Sequence, residues 1–191
     1  MAVFPPRQVV TRSGRRVILR SAEERDAQTL LDLIADTDRT ASDTSVTMPD
    51  ERQPTVEKRQ EWIREYRDKP NSVAILAELE DAPGRCIGEI SFKGWEFRRM
   101  AHHGHFGLSV HSEFQNDGIG RALVQAVIDW AREHPVIEKV CLGVLEPNAR
   151  ARHLYTSLGF TEDYRKLREF KRGPGDYIND IQMSLWVKPV A

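Results

Sequence analysis

The sequence predicts a single α/β (α+β) domain in which a twisted, mixed β-sheet is flanked by helices. Three observations predict it. The chain has 191 residues, one domain's worth, and enough to bury a sizeable core. Its composition, 40% hydrophobic and 30% charged with only 12 Gly and 10 Pro, is that of a globular protein rather than a low-complexity or disordered one. Its pattern runs strand, helix, helix, several strands, then strand, helix, strand, helix, strand, strand, which is not the order of a doubly wound parallel sheet.

The elements follow in order. A strand is expected near Gln8 to Thr11, and Val17, Ile18 and Leu19 lead into Ser21-Ala22-Glu23-Glu24, the S-x-x-E spacing of a capping box. The box predicts a helix carrying Ala27, Leu30, Leu31 and Ile34 on one face to about Asp36. Thr37 to Pro54 is rich in Thr, Ser, Asp and Pro and reads as a long loop, either a lid or substrate wall or a plain surface connection. A second helix spans Val56 to Arg67 with Trp62, Ile63 and Tyr66 inward. Val73 to Leu79 and Cys86 to Phe92 form a hairpin across Asp81-Ala82-Pro83-Gly84. His103 to Val110 is a strand with Phe106, Leu108 and Val110 on one face and His103, His105, Gly107 and Ser109 on the other. Ile119 to Glu133 is a largely buried helix ended by Pro135. A strand with Val140, Leu142 and Val144 comes next, then a helix capped at Pro147-Asn148 and closed by Gly159. Phe160 to Lys171 and Tyr177 to Val187 make the final hairpin around Gly173-Pro174-Gly175.

Charge and cysteine usage narrow the function. Lys plus Arg number 28 against 29 Asp plus Glu, a formal net charge of −1, so no basic field recruits nucleic acid or an anionic membrane. Cys86 and Cys141 form no CxxC pair and read as small buried hydrophobes, which fits a reducing cytoplasm. The opening MAVFPPRQVVTRSGRR has no apolar core before a cleavage site, and no run approaches membrane-spanning length, so neither export nor a membrane anchor is expected.

The chemistry concentrates in Leu108 to Leu123, a strand, a short polar loop and a helix start. Glycines at 118 and 120 allow unusual dihedrals and close approach where helix amides are still unpaired, which suits an anion. An ordinary tight turn is the competing reading. Leu123 stands where a dinucleotide fingerprint needs a small residue, and no Gly-Lys-Ser/Thr makes a P-loop. Gln115-Asn116-Asp117-Gly118-Ile119-Gly120 resembles instead the Q/R-x-x-G-x-G/A pyrophosphate motif of the GNAT superfamily of acyl-CoA-dependent N-acyltransferases. Asn148 to Phe160 resembles the N-x-x-A-x-x-L-Y-x-x-x-G-F signature of the same superfamily, and the likeness runs from Val17 to Val187, leaving residues 1–16 uncovered.

The resemblance implies a GNAT-like fold with a splayed central strand pair, acetyl-CoA as co-substrate, no metal, and direct acetyl transfer to a small-molecule primary amine in a ternary complex. Leu108, Ser109 and Val110 would bond the pantetheine arm, and Gln115, Asn116, Asp117, Gly118, Ile119 and Gly120 would hold the pyrophosphate with Arg121 as a further contact. Asn148 would bond the pantetheine or thioester region. Tyr155 would protonate the departing sulfur, although its place on the Ala151, Leu154, Leu158 stripe equally suits a core aromatic. His105 is a candidate base, two residues before Gly107 where related sequences often carry Glu; Glu89 and a water chain are the other candidates. Asp117 departs from expectation, since a carboxylate beside a pyrophosphate repels it unless turned away.

The remaining features read more plainly. His102, His103 and His105, with His111 beyond, have no Cys or clustered carboxylate to complete a metal set; Asp180 reads as a solvent-facing edge residue rather than a cleft carboxylate that attracts an ammonium substrate, and the basic run Arg165 to Arg172 as a solvated hairpin rather than a contact for an acidic substrate. Rivals to the small-amine reading are a protein N-terminal or lysine acetyltransferase and a non-catalytic acyl-CoA sensor. No nucleic-acid or membrane partner is expected, and a homodimer stays open.

Overall fold

The computed structural model describes residues 3–40, 51 and 54–189. Among them, eight strands form one sheet in the order β1-β2-β3-β4-β5-β6-β8-β7. The strands are β1 (Arg7–Val10), β2 (Arg16–Ser21), β3 (Ser72–Leu79), β4 (Cys86–Gly94), β5 (His103–Val110), β6 (Lys139–Leu145), β7 (Thr161–Gly173) and β8 (Asp176–Trp186). The helices are α1 (Ala27–Thr40), α2 (Val56–Asp68), α3 (Ile119–Glu133) and α4 (Ala149–Ser157). Neighbouring strands run antiparallel except β5 and β6, so the sheet is mixed, as expected.

Side-chain alternation gives the sheet two faces, each with its own core. On one face Phe92, Phe106, Val140 and Leu142 meet the apolar side of α3, where Leu123, Val124, Val127 and Ala131 are fully buried. Each buried Val or Leu of that kind contributes roughly 1.5–3 kcal/mol, so α3 anchors β3, β4 and β5 from below. On the other face Ala74 and Leu76 of β3 pack on Leu30 and Leu33 of α1 and Ile63 of α2, with Trp62 and Tyr66 half-buried beside them. The register Leu76↔Glu89, Ala74↔Ser91, Ser91↔Gly107 and Glu89↔Ser109 puts Glu89, Ser91, Gly107 and Ser109 on this second face.

Two expectations about α1 are corrected. Ser21 does not cap the helix: it closes β2 opposite Ile75, and its hydroxyl accepts the Phe4 amide at 2.8 Å. The capping box lies two residues later, at Glu23 and Asp26, where the Asp26 carboxylate also takes a bidentate ion pair from Arg20 at 2.8 Å. The ladder to β3 claims Ser21 before a helix can. At its other end α1 runs to Thr40, past Asp36, so Thr37 to Thr40 of the expected loop are helical. The rest of that loop, 41–50 and 52–53, lies outside the described residues, and with it the lid or substrate-wall reading.

The feature that positions the site is the β5–β6 junction. The two strands share only the pairs His103↔Lys139, Gly104↔Val140 and His105↔Cys141. Beyond them β5 stays with β4 as far as Gly88↔Val110, while β6 stays with β8 as far as Leu145↔Asp180. The sheet therefore splits after His105.

Candidate active site

Peptide groups alternate in direction along a strand. The His111 amide donates to Ile87 O of β4 at 3.0 Å, so the groups of Leu108 and Val110 point the other way, into the split. There the ladder supplies them no β6 partner. The Val110 carbonyl is instead taken by Gln115 Nε2 at 3.1 Å, and Gln115 Oε1 accepts from Arg150 of α4. Gln115 thus braces the loop between β5 and α3 and does not reach outward.

After Gln115 the chain turns through two left-handed residues, Asn116 at φ 63° and Gly118 at φ 94°. Asn tolerates this region better than most residues, and Gly occupies it without strain. Gly118 is the N-cap of α3 and has no side chain to offer, so the first helix amides, Ile119, Gly120 and Arg121, receive no cap among the described residues. The first intrahelical bond of α3 runs from Ala122 N to Gly118 O at 3.0 Å. Uncapped amides at the positive end of a 15-residue helix form an anion cradle. The residues present therefore fit a diphosphate. Ile119 is buried in the core and offers only its backbone. A Cβ on Gly120 would lie 3.6 Å from Leu108 Cδ2 and from Leu154 Cδ2, on the cleft wall. Arg121 donates to Ser157 Oγ of α4.

Asp117 is turned away from the cradle. Its two carboxylate oxygens accept Ser13 N at 2.7 Å and Ser13 Oγ at 2.6 Å, and these donors hold its carboxyl below the usual range.

The cradle opens into a cleft of about 640 Å³ that passes through the split sheet. Leu108, Val110, Leu154 and Tyr155 line it from the α3/α4 side; Glu89, Ser91, Gly107 and Ser109 line it from the α1/α2 side. Asn148, the N-cap of α4, borders it and accepts Ala151 N at 3.1 Å through Oδ1, while its Nδ2 makes no hydrogen bond among the described residues. Tyr155 packs its ring on Phe106 and Phe160, with centroids 5.7 and 5.9 Å away, just beyond the last shared β5–β6 pair. Its hydroxyl has no hydrogen-bond partner among the described residues, and burial pushes its pKa up to about 12. Tyr155 is thus both a core aromatic and a cleft residue.

His105 stands apart. It shares the Glu89 face and pairs with Lys93 and Cys141, yet it is not among the residues lining the cleft. Desolvation lowers its pKa despite a hydrogen bond with Gln182 that raises it. Glu89 lines the cleft and is 7% exposed; its Oε1 has no hydrogen-bond partner among the described residues, and its Oε2 lies 3.6 Å from Arg59 of α2. Burial raises the Glu89 pKa, and the Arg59 charge only partly opposes this. Arg59 itself stacks on Trp62, 3.8 Å from the ring centroid. The signal for Glu89 was a lone carboxylate inside the apolar run Cys86-Ile87-Gly88-Glu89-Ile90. Arg12 and Arg59, both on the cleft, carried no comparable signal.

Other expectations concern the histidines and the edge. The rings of His103 and His105 are 6.4 Å apart, while His102 stacks on Trp186 at 6.2 Å. Asp180 is corrected from an edge residue: it is 6% exposed and accepts from Gln182 Nε2 at 2.6 Å, because β7 covers the outer side of β8. No helix among the described residues is long and apolar enough to cross a membrane.

Comparison with known proteins agrees with this geometry. Residues 34–160 match the acetyltransferase (GNAT) family model. The chain is 22% identical over 168 residues to the L-amino acid N-acetyltransferase AaaT of Escherichia coli (strain K12), covering 88% of this chain and 96% of that one. In three dimensions it is similar to a GNAT-family acetyltransferase from Streptococcus pneumoniae, with a TM-score of 0.82 at 22% identity, covering 90% of this chain and 99% of that one. It is also similar to the yncA protein from Salmonella typhimurium, solved with its cofactor acetyl-CoA, with a TM-score of 0.79 at 21% identity over 92% and 96% of the two chains. On the family match, which spans most of the chain and contains the split strand pair, the anion cradle and Tyr155, this protein belongs to the GNAT acetyltransferase family.

Proposed function

We propose that the protein transfers an acetyl group from acetyl-CoA to the primary amine of a small molecule by direct attack, with both substrates bound at once. The observation that carries this reading is a single cleft through the sheet with an amide cradle at one end, a buried carboxylate, Glu89, on the opposite face, and the Tyr155 hydroxyl beside the split. The 116–121 amides and Arg121 hold the diphosphate, and the inward peptide groups of Leu108 and Val110, with Asn148, hold the pantetheine arm. Acetyl-CoA supplies an acetyl group activated as a thioester.

The chain's own groups then do the proton work. An alkylamine resembles Lys, with a pKa of about 10.4, so it arrives protonated and needs a base. Glu89 takes that proton: it faces the acceptor side and its raised pKa brings it closer to neutrality. His105, outside the cleft lining, is the competing base. An inward amide at Val110 or Leu108 donates to the carbonyl oxygen as charge builds on it. Tyr155 donates to the departing sulfur. Direct attack is favoured over an acyl-cysteine because both thiols are buried, with pKa values pushed up to about 12 for Cys86 and about 11 for Cys141.

The acceptor side pairs the Glu89 carboxylate with the Arg59 guanidinium, one partner for each end of an amine that also carries a carboxylate. The Escherichia coli relative, named as an L-amino acid N-acetyltransferase, supports an amino-acid-like acceptor. The test is to incubate the purified chain with acetyl-CoA and a panel of amino acids, polyamines and other amines, following free thiol. Turnover with one amine class supports the proposal; acetylation confined to protein termini or lysines overturns the small-molecule acceptor, and binding of acetyl-CoA without turnover overturns the enzymatic reading.

A further inference from the structure

The turn between β1 and β2 lies outside the segment matched by the family model, yet it is bonded to the anion cradle. Arg12 N donates to Asp117 O at 3.0 Å, and Ser13 donates to both Asp117 carboxylate oxygens. The turn is fixed internally by Thr11 Oγ1, which accepts Arg15 N at 3.2 Å and lies 3.0 Å from Ser13 Oγ. Arg15 also sits over the Phe114 ring, 5.0 Å from its centroid, just before the cradle. These bonds fix the backbone from which the Arg12 side chain projects, beside the cradle. Its Cγ would be 3.8 Å from a Cβ built on Gly118, and its Nη1 is 3.5 Å from Asn116 O, a bond at the outer limit of length. Arg12 lines the cleft, is exposed, and makes no ion pair with the described residues.

We infer that Arg12 is a phosphate-binding residue: its guanidinium joins the 116–121 amides in holding the diphosphate of CoA, and the Ser13–Asp117 contact is the latch that positions it. This rests on the acetyl-CoA reading above. The latch also explains Asp117. A carboxylate in the cradle sequence would repel a diphosphate if it faced inward; bonded to Ser13 it faces the turn and brings a cation to the site. A guanidinium suits the role because it offers paired donors to phosphate oxygens and stays charged at any working pH. Asp117 and Ser13 act through Arg12, as positioning residues.

The test is calorimetric titration of the full-length protein with CoA and with dephospho-CoA, which keeps the diphosphate and lacks the 3′-phosphate. R12M is expected to weaken both ligands about tenfold, as loss of one charge-assisted phosphate contact would, and to flatten the salt dependence of binding. R12K should recover part of the loss. D117A should weaken binding several-fold alone and add nothing to R12M, since the latch has no value without its arginine. Thermal melts of each ligand-free variant separate these effects from unfolding. Wild-type affinity in R12M overturns the proposal. A loss that disappears with dephospho-CoA moves Arg12 to the 3′-phosphate and overturns the diphosphate assignment. Additivity of D117A with R12M overturns the latch. Failure of the wild-type protein to bind CoA at all sinks the acetyl-CoA reading itself, a result distinct from any of these.

Discussion

Tyr155→Phe isolates one hydroxyl. The ring is 7% exposed and held by Phe106 and Phe160, and phenylalanine preserves both contacts. The hydroxyl has no hydrogen bond among the described residues, so its removal leaves no protein group unpaired, and the melting temperature should stay within about a degree. The chemistry should respond differently. Burial lifts the phenol pKa from 10.0 to about 12, which favours the neutral, donating form. Tyr155 therefore remains a proton donor across the working range. Positioned acids contribute roughly 10²–10⁴-fold. A thiolate, with a parent pKa near ~8.5, is a good leaving group, so the lower end applies: kcat should fall about 10²-fold. Stopped assays of thiol release give kcat, and calorimetry gives acetyl-CoA affinity, which should be unchanged. A kcat within a factor of two of wild type would refute Tyr155 as the proton donor; a large loss of affinity would show that the hydroxyl serves in binding instead.

Three further outcomes follow from the site. Because Glu89 has a raised pKa, kcat/KM should climb as pH rises through a value above the usual carboxylate range; Glu89→Gln should abolish that limb with a loss of roughly 10²-fold or more, while His105→Ala should keep it, and the reverse pattern would make His105 the base. Among the described residues a Cβ at Gly107 would meet only Ser91 Oγ at 4.0 Å, so Gly107→Ala should melt like wild type yet raise KM, since the methyl group projects into the cleft; unchanged kinetics would show that no ligand passes there. Asp36 accepts Ser112 N at 2.6 Å and Ser112 Oγ at 2.9 Å, and although burial opposes it these bonds hold its carboxyl below the usual range. Its contribution is therefore present above the unfolded pKa of ~3.9 and is lost as pH falls through the lower folded value; Asp36→Asn should cost about 1–3 kcal/mol at pH 7, read as a drop in Tm of roughly 2–4 °C per kcal/mol, and an unshifted Tm would rule out that anchoring role.

What could be read from the chain was whatever local spacing determines. The Ile119 to Glu133 stripe needed only a 3.6-residue period, and His103 to Val110 only alternation, and both elements stand where the pattern puts them. Ser21-x-x-Glu24 and Glu23-x-x-Asp26 are both acceptable boxes locally; pairing of Ser21 with Ile75, 54 positions away, decides between them, and no window centred on the helix contains that strand. The same distinction runs through the site. The glycine loop and Tyr155 are contiguous motifs. Glu89 on β4 is approached at 3.6 Å by Arg59 from α2, and Arg12 reaches Asn116 across 104 residues. Local patterns locate the groups that bind the common part of a substrate; side chains contributed by distant elements have to be seen in place.

That division bears on how a chain of net charge −1 can hold a ligand as anionic as CoA. A global field cannot attract it, because acids and bases nearly cancel and a Debye length of about 10 Å screens the remainder in ordinary salt. The attraction must come from arrangement. Around the cradle the described residues place Arg12, Arg121 and Arg150 on the cleft, and the two carboxylates of the loop are engaged elsewhere, Asp117 bonded outward to Ser13 and Glu113 paired with Arg85 at 2.9 Å. Arg121 and Arg150 each donate to a neutral oxygen, Ser157 Oγ and Gln115 Oε1, so neither charge is cancelled by those bonds. Three cations and a row of helix amides thus face one mouth, while the loop's acids are satisfied elsewhere. Overall charge is a poor guide to phosphate binding here because local orientation, set by the β1–β2 turn and the first turns of α3 and α4, separates charges that the composition only counts.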